Sequence, residues 1–356
     1  MQSQTDIHPQ PPQGPPPLAT PGGTPNSLWR WLALALVALF LGWAAYNVPV
    51  PVFYAYQPGP ARDVEDLVDV SGERTYSSDG SLYLTTVSVD INVTLAELVS
   101  AGIDPAKAIV SKDEVTGGQS FEDLEKAQLQ EMENSKEQAR VVALTALDYP
   151  EPTGKGAEIV DVDANAPAGG QLEEGDLITG VNGTDVETTC DASEFIGDLP
   201  PGEEVELTLL RRGQERTVTL DTAENPNDPD KAYVGVLMTN PDGFKYDPGI
   251  DVGFKTGEIA GPSAGLMFTL ALYDQLTPDD LTSGREIAGT GTIGCGGEVG
   301  PIGGIEQKVA GAEAAGAEVF LAPADNYQAA LTVADGIEVV EVGNFEDALD
   351  YLERTQ

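Results

Sequence analysis

The stretch Gly261-Pro262-Ser263-Ala264-Gly265-Leu266-Met267-Phe268 joins a tight Gly-Pro turn to the start of an apolar helix that runs to about Leu276. Ser263 is therefore predicted to lie at a helix N-terminus. Unpaired amides and the positive end of the helix dipole can stabilise an oxyanion there, as acyl transfer requires. An isolated serine at such a position is more often only a helix N-cap, so this stretch alone leaves both roles open.

A second stretch, Val299-Gly300-Pro301-Ile302-Gly303-Gly304-Ile305-Glu306-Gln307-Lys308-Val309-Ala310, is predicted to be a loop that opens a helix of small residues. Lys308 falls in the first turns of that helix, where burial and the positive helix end both disfavour its charged form. A lysine that acts as a base near neutral pH needs its pKa lowered from ~10.4 to ~7–8, which a buried apolar site can supply. Taken alone, a lysine at such a position is more often a solvated surface lysine.

Together, Gly-Pro-Ser-Ala-Gly and the Lys of Pro-Ile-Gly-Gly-Ile-x-x-Lys, 45 residues apart at Ser263 and Lys308, closely resemble the proteolytic domain of Lon proteases. The resemblance implies that Ser263 is the nucleophile and Lys308 its general base. It also implies that Thr290, eighteen residues before the lysine, helps to hold the amine. Ala260 is a departure, because many Lon proteases have an acidic residue just before the Gly-Pro-Ser.

The segment before these motifs also resembles part of a Lon proteolytic domain. Residues 82–93 alternate and are rich in β-branched types, which predicts a strand, and residues 121–147 have apolar positions at helical spacing. Within the predicted helix, the run Glu131-Met132-Glu133-Asn134-Ser135-Lys136-Glu137-Gln138-Ala139 is similar to the first helix of that domain. We expect residues 65–147 to form the first part of the Lon domain.

A region of different texture follows, with short β-rich runs separated by Gly-Asp and Asn-Gly turns. The run Asn165-Ala166-Pro167-Ala168, then Leu172-Glu173-Glu174-Gly175-Asp176-Leu177-Ile178, Val181-Asn182-Gly183 and Arg211-Arg212-Gly213, closely resembles bacterial PDZ domains. Such a domain takes an extended peptide as an added strand. The resemblance assigns residues 148–225 to a PDZ domain inserted into the Lon fold, which resumes over 230–352. It suggests a peptide-binding loop at Gly156, Ala157, Glu158 and Ile159.

The N-terminal part contains one candidate membrane segment. The run from Trp31 to Tyr46 has no charge, and its flanking aromatic residues are typical of membrane interfaces. We predict a transmembrane anchor and the start of a stalk over 28–53, after a disordered cytoplasmic tail over 1–27; a cleaved signal peptide is the alternative. Arg30 is the only basic residue near the segment on its N-terminal side, so the positive-inside rule places the catalytic and PDZ domains outside the cytoplasm.

Composition excludes several kinds of function. With 18 Lys+Arg, 59 Asp+Glu and a net charge of −41, nucleic acid is not an expected partner, because duplex binding depends largely on basic residues. The one histidine, His8, lies in a Pro/Gln/Gly-rich stretch that cannot bury a core, which argues against a Ser-His-Asp triad. Cys190 and Cys295 fit no zinc-ligand spacing and are either free thiols or one disulfide. The chain contains no Gly-x-x-x-x-Gly-Lys-Ser/Thr motif, so ATP independence is predicted, with no cofactor and no metal.

These observations predict an α+β protein: a mixed α/β Lon-type proteolytic domain with an inserted β-rich PDZ domain and one N-terminal transmembrane helix. The expected function is that of a membrane-anchored, ATP-independent serine endopeptidase with a Ser-Lys dyad, which cleaves extracytoplasmic or membrane proteins selected by its PDZ domain. The alternative is a non-catalytic PDZ/Lon-like binding or scaffold protein of the cell envelope. By family resemblance a hexameric ring is an expected assembly. The substrate and the reason for the acidity do not follow from the sequence.

Overall fold

The computed structural model describes residues 27–112, 115, 121–150, 152–226, 228–241, 246–257 and 259–355. Apart from Ser27, the predicted cytoplasmic tail lies outside the described residues, as does His8. In chain order the helices are α1 Ser27–Asn47, α2 Leu95–Ala101, α3 Phe121–Ala146, α4 Thr189–Gly197, α5 Gly265–Leu276, α6 Ile305–Ala315, α7 Ala324–Val333 and α8 Phe345–Arg354. The strands are β1 Phe53–Pro58, β2 Arg62–Asp63, β3 Val68–Ser71, β4 Ser81–Leu84, β5 Val87–Asp90, β6 Ala108–Ser111, β7 Ala157–Val162, β8 Leu177–Val181, β9 Thr184–Asp185, β10 Glu204–Arg211, β11 Gln214–Asp221, β12 Ala223–Asn225, β13 Asp228–Tyr233, β14 Val236–Thr239, β15 Asp251–Phe254, β16 Glu286–Gly289, β17 Thr292–Ile293, β18 Val299–Gly300, β19 Val319–Pro323 and β20 Glu338–Val342.

The central sheet of the larger unit has the order β2-β4-β16-β19-β20 and is parallel except for β2 at its edge. Successive residues of a strand point to opposite faces, so a strand buried on both faces is apolar throughout. In β19, Val319 and Leu321 face one core and Phe320 and Ala322 face the other. Helices therefore cover both faces of this sheet, with α6 and α7 on the side of Phe320.

Helices α3 and α5 pack against each other in the first of these cores. The predicted helix over 121–147 is observed as α3, and its buried stripe includes Met132, Ala139 and Leu144. Helix α5 is buried on nearly every side, as expected for a helix that is apolar all round. Strand β4 precedes α3 and strand β16 follows α5, so segments on both sides of the β-rich region share one core.

The strand predicted over 82–93 is two strands, β4 and β5, that belong to different sheets. Thr85 and Thr86 separate them, and the carbonyl of Thr86 accepts a hydrogen bond from the amide of Gly59. Strand β4 joins the central sheet, whereas β5 pairs with β1. The alternating pattern continues through the break, so the pattern did not reveal the change of sheet.

The β-rich region forms its own sheet, β11-β10-β8-β7-β14, with β9 on β8 and with a separate core that includes Ile159, Ile178 and Leu207. Asn182 and Gly183 both have positive φ in the tight turn between β8 and β9, where the Asn-Gly pair favours that conformation. Two motifs quoted from the sequence meet here, because the guanidinium of Arg211 donates to both oxygens of the buried Asp176 carboxylate.

The structure moves the predicted end of this β-rich domain from residue 225 to the end of β14. Strand β14 pairs with β7, and Val234 lies in the same core as the rest of the sheet. Part of the stretch 221–230 belongs to the paired strands β12 and β13. We refer below to residues 157–239 as the β-rich domain.

The stretch after the anchor also differs from the extended stalk that was predicted. Pro49 forms a β-bridge with Thr94, and β1 lies between β5 and β6 in an antiparallel sheet. The residues that follow α1 are thus part of a folded unit. They are not a free spacer.

A disulfide between Cys190 and Cys295 joins the two domains. Cys190 is in the first turn of α4, and Cys295 follows β17 in the glycine-rich turn of the larger unit. Of the two alternatives left open by the sequence, the structure therefore contains the disulfide.

Candidate active site

Ser263 precedes α5, and the geometry of this turn depends on glycine. Gly261 has a φ of +87°, a conformation that favours glycine. A Cβ added to Gly265 would come within 2.6 Å of Ile293 and 2.8 Å of its backbone nitrogen, so a side chain there would push the turn away from β17. The N-cap of α5 is Ala264, and no side chain caps the helix. The Ser263 hydroxyl is therefore not used as a cap.

Lys308 is the fourth residue of α6, the helix that follows the glycine-rich loop. It is buried, with 3% of its surface exposed. Its Nζ is 2.7 Å from the Oγ of Ser263. Burial lowers the pKa of Lys308 from 10.5 to about 7. Among the residues that the structure describes, no carboxylate contributes to that pKa, in keeping with Ala260 in place of an acidic residue.

Thr290 is buried at the end of β16 and contacts both partners. Its Oγ1 lies 2.9 Å from Lys308 Nζ and 3.0 Å from the backbone oxygen of Ser263. A hydroxyl has one proton, and the carbonyl can only accept, so Thr290 donates to the carbonyl and accepts from the lysine. One N–H of the lysine is thereby directed to Thr290. In the neutral amine, the lone pair is left free to accept the Ser263 proton.

The backbone amides of Ser263 and Ala264 are candidates for an oxyanion hole. In the described part of the chain, neither the Ser263 amide nor the Ala264 amide donates to a protein acceptor. Both precede the first turn of α5, where the helix dipole favours negative charge. The turn can therefore offer a nucleophile and anion-stabilising donors within two residues.

Ser135 is a positioning residue that the sequence reasoning did not single out. It lies on α3, is 1% exposed, and donates from Oγ to the carbonyl of Pro262 at 2.9 Å. The sequence does hold a signal for this residue: Ser135 lies three residues after Met132, on the apolar stripe of the predicted helix. A hydroxyl buried at such a position needs a hydrogen-bond partner. The hydrogen bond fixes the peptide that enters Ser263.

Ser263 and Lys308 line a cleft of about 1200 Å³. One wall is formed by residues 256, 257 and 259–263, and another by Pro301, Ile302 and the two glycines that precede α6. Glu131 also lines the cleft, where burial raises the pKa of its carboxyl group. A cleft of this size has room for an extended peptide, which is longer than the small ligands that fill typical pockets.

The structure contradicts the peptide-binding loop predicted at Gly156, Ala157, Glu158 and Ile159. These residues already have backbone partners: Gly156 N donates to Glu187, Ile159 N donates to Asp176, and Glu158 is paired with both β8 and β14. Strand β7 is internal, so it cannot accept an added strand. The edge strand on that side of the sheet is β14.

Strand β14 also contacts the larger unit. Asn134 of α3 donates from Nδ2 to the backbone oxygen of Met238 at 2.7 Å, and the Gln130 amide lies 3.3 Å from Thr239 Oγ1. These contacts and the disulfide fix the β-rich domain against α3. A small cavity of about 220 Å³ remains between them, lined by residues of both units.

Two family models match the chain. Residues 118–222 match the PDZ domain, and residues 239–352 match the Lon protease (S16) C-terminal proteolytic domain. The PDZ match includes α3, but α3 packs on α5 and shares the core of the larger unit, so the structure assigns it there. The chain therefore carries a PDZ domain and a Lon-type proteolytic domain.

Curated relatives include proteins similar to each of the two domains. Lon protease 2 of Bacillus subtilis is 38% identical over 108 residues, which cover 30% of this chain and 18% of that protein. Lon protease 1 of the same organism is 29% identical over 51% of this chain and 24% of its own length. A probable periplasmic serine endoprotease DegP-like of Halomonas elongata is 30% identical over 30% of this chain and 24% of its own length. The chain thus matches a quarter or less of the length of each relative.

Among solved structures, the PDZ domain of the SdrC-like protein from Listeria innocua is 20% identical. The match covers 24% of this chain and 96% of the solved domain, with a TM-score of 0.23. At that score the comparison adds nothing to the assignment of the fold.

Proposed function

We propose that this chain, which carries a PDZ domain and a Lon-type proteolytic domain, is a serine endopeptidase with Ser263 as nucleophile and Lys308 as general base. The observation that carries the proposal is the 2.7 Å contact between Lys308 Nζ and Ser263 Oγ in a buried site that lowers the pKa of the lysine to about 7. Without that shift a lysine would be protonated at neutral pH and could not accept a proton. Thr290 is proposed as the residue that orients the amine.

The proposed reaction begins with transfer of the Ser263 proton to Nζ as Oγ bonds to the scissile carbonyl carbon. The carbonyl becomes an oxyanion, which the Ser263 and Ala264 amides are positioned to stabilise. The Lys308 ammonium then gives its proton to the leaving amine as the C–N bond breaks, which leaves an acyl-enzyme. Water attacks the acyl group, again with Lys308 as base, and releases Ser263.

The proposed substrates are proteins and peptides in an extended conformation. The cleft supports this, because Ser263 and Lys308 line it and it has room for an extended peptide. The proposed role of the PDZ domain is to capture exposed peptide ends and to raise their concentration near Ser263. The disulfide and the contacts of α3 with Met238 and Thr239 support this role, because they hold the PDZ domain against the proteolytic domain.

ATP independence and an extracytoplasmic location are further parts of the proposal. The chain has no phosphate-binding loop of the Gly-x-x-x-x-Gly-Lys-Ser/Thr type, which supports proteolysis without ATP. Among the described residues α1 is the one helix that is long and apolar enough to span a membrane. Disulfides persist mainly in oxidising compartments, so the Cys190–Cys295 bond supports an extracytoplasmic position for both domains. A hexameric ring stays a prediction from the resemblance.

A peptidase assay on the purified full chain tests the proposal. Wild-type protein should cleave an unstructured protein such as casein without ATP, and Ser263→Ala and Lys308→Ala should each reduce the rate to background while far-UV circular dichroism stays unchanged. Equal residual rates are expected for the two variants and for the double variant, because nucleophile and base act as one unit. A folded but inactive wild-type protein that still bound peptides would favour the scaffold alternative.

A further inference from the structure

A row of exposed apolar side chains runs along α2 and the loops on either side of it. Ile91, Leu95, Val99 and Ile103 are 51%, 51%, 62% and 82% exposed, and the last three are spaced by four residues, as on one face of a helix. We call these four residues the apolar surface. Contiguous exposed apolar residues of this kind usually mark a contact with a protein or a membrane.

The apolar surface is continuous with the candidate membrane span. The span Leu28–Asn47 has 20 residues, which at about 1.5 Å per residue corresponds to the ~30 Å hydrocarbon core of a bilayer. Two residues after its end, Pro49 forms a β-bridge with Thr94, the N-cap of α2, and the amide of Val50 donates to Val93. Helix α1 also contacts α2 directly.

This connection fixes the height of α2 above the bilayer. Helix α2 begins where the span ends, and its seven residues have a length of about 10 Å. Interfacial helices bury their apolar face about 5–10 Å into the boundary between head groups and acyl chains. The apolar surface is therefore within reach of that boundary.

We propose that the apolar surface docks onto the lipid bilayer beside the anchor and holds the proteolytic domain on the membrane. This inference rests on the proposed membrane location of the chain. The occupant is the lipid interface because the surface is joined to the span through the β-bridge and shares its apolar character.

The charged groups near α2 have partners of their own. The Glu97 carboxylate accepts hydrogen bonds from the amide and the hydroxyl of Thr94, and Asp104 lies 3.9 Å from Lys107. Lys112 lies over the ring of Tyr54. The attraction is therefore apolar, so docking should need no anionic lipid and should persist at high salt.

Docking would determine which substrates reach the dyad. Val87 and Val89 line the catalytic cleft, and β5, which contains both, leads directly to Ile91 of the apolar surface. The cleft rim is thus held close to the bilayer. The substrate class that follows is peptide segments that emerge from the membrane or are tethered to it by a short linker.

Site-specific fluorescence in vesicles tests the docking. Cys190 and Cys295 are joined, so a new cysteine is the only reactive thiol, and the unmodified chain is the labelling blank. The full chain is labelled with an environment-sensitive dye at Ile103→Cys, at Phe40→Cys in the span, or at Leu331→Cys, an exposed apolar residue of α7 that serves as the matched control. Each is reconstituted into phosphatidylcholine vesicles with and without spin-labelled lipid.

The proposal predicts a blue-shifted emission and quenching by spin-labelled lipid at positions 40 and 103, but not at 331, with no change at high salt. Quenching at 40 without quenching at 103 would overturn the docking and leave the anchor intact. No quenching at either position would instead contradict the membrane location. Position 103 could also be protected from aqueous iodide without being quenched by lipid. That result would mean that another protein, such as a second copy of the chain, covers the apolar surface, and it would also overturn the proposal.

A functional comparison gives a second, independent readout. Leu95→Glu/Val99→Glu/Ile103→Glu should lose cleavage of a peptide tethered to the vesicle by a short linker, while cleavage of the same peptide free in solution stays at the wild-type rate. Leu331→Glu, the matched control, should change neither rate. Equal cleavage of the tethered peptide by the triple variant and the wild type would contradict the docking.

Discussion

Lys308 Nζ lies 2.7 Å from Ser263 Oγ, although 45 positions separate the two residues in the chain. Two close approaches bring them together. Gly304, the N-cap of α6, has a φ of +70°, and a Cβ there would come within 2.7 Å of Val87, while Gly265 allows α5 to approach Ile293. A hydrogen bond that the lysine amine donates to Thr290 Oγ1 then sets the direction of the amine.

The rate of peptide cleavage should increase with pH through about 7 and then level off. The base must be neutral, and burial lowers the pKa of Lys308 to about 7, so the active fraction increases as the lysine loses its proton. The measurement is kcat/KM for a short peptide between pH 5.5 and 9. A profile that is flat, or that still rises steeply at pH 9, would show that Lys308 is not the base or is not desolvated.

Thr290→Val should reduce kcat/KM by roughly 10- to 100-fold, since hydrogen bonds to charged groups contribute about 1.5–3 kcal/mol. The acid limb of the pH profile should also move to lower pH, because the ammonium form loses an acceptor. Thr290→Ser, which keeps the hydroxyl, is the control and should retain most of the activity. An unshifted pH profile in Thr290→Val would mean that Thr290 only fills space.

Replacement of Lys308 by methionine should stabilise the folded protein most at low pH. Between about pH 7 and 10.5 the unfolded lysine binds a proton that the folded one does not, so the free energy of unfolding of the wild type increases with pH in this window. Below pH 7 the whole penalty is present, at most about 4–5 kcal/mol for a shift of this size. Chemical denaturation of both proteins at pH 6.5 and 9.5 should give a difference that shrinks at the higher pH. A constant difference would contradict the shifted pKa.

Removal of the disulfide by Cys190→Ser/Cys295→Ser should lower stability and loosen the contact between the two domains. The bond closes a loop with a sequence separation of 105 residues, for which the chain-entropy model gives about 4–5 kcal/mol. Thermal unfolding of the variant should match that of the wild type in reducing buffer. Two reactive thiols in unreduced, denatured wild type would show that the bond is absent.

Removal of the PDZ domain should separate substrate selection from catalysis. Replacement of residues 152–239 by a Gly/Ser linker, with Cys295→Ser, should leave cleavage of a short peptide near the wild-type rate. Cleavage of proteins with an exposed tail should fall by up to ~10²-fold, because tethering raises the local concentration of the substrate. Cys190→Ser/Cys295→Ser, which keeps the domain, is the control. Equal loss of both activities in the deletion variant would contradict the tethering role.

The sequence predicted α3 because apolar residues at helical spacing are a local pattern. The pairing of Ser263 with Lys308 was implied by the resemblance to Lon proteases, and the structure brings the two side chains to 2.7 Å. The sequence predictions were wrong where the assignment of a strand depends on which other strand it pairs with. No local pattern indicates that β14 pairs with β7 and so belongs to the β-rich domain and not to the resumed Lon fold. The peptide-binding loop was placed on β7 for the same reason, since an internal strand and an edge strand have the same alternation. Residues 48–60 contain four prolines, a composition typical of an extended stalk, so the sequence did not indicate that β1 pairs with β5 and β6.

The central claim is that Ser263 is activated by Lys308, and the rate of covalent labelling at Ser263 tests it most directly. The full chain is treated with a fluorophosphonate, the adduct is located by tandem mass spectrometry, and its rate of formation is measured in wild type and in Lys308→Met at pH 8. The account predicts an adduct on Ser263 in the wild type and a rate of adduct formation at least ~10²-fold lower in the variant. This factor is the lower end of the range that general-base catalysis contributes. An adduct that forms at the same rate in Lys308→Met, or a wild type that is not labelled at Ser263, would contradict it.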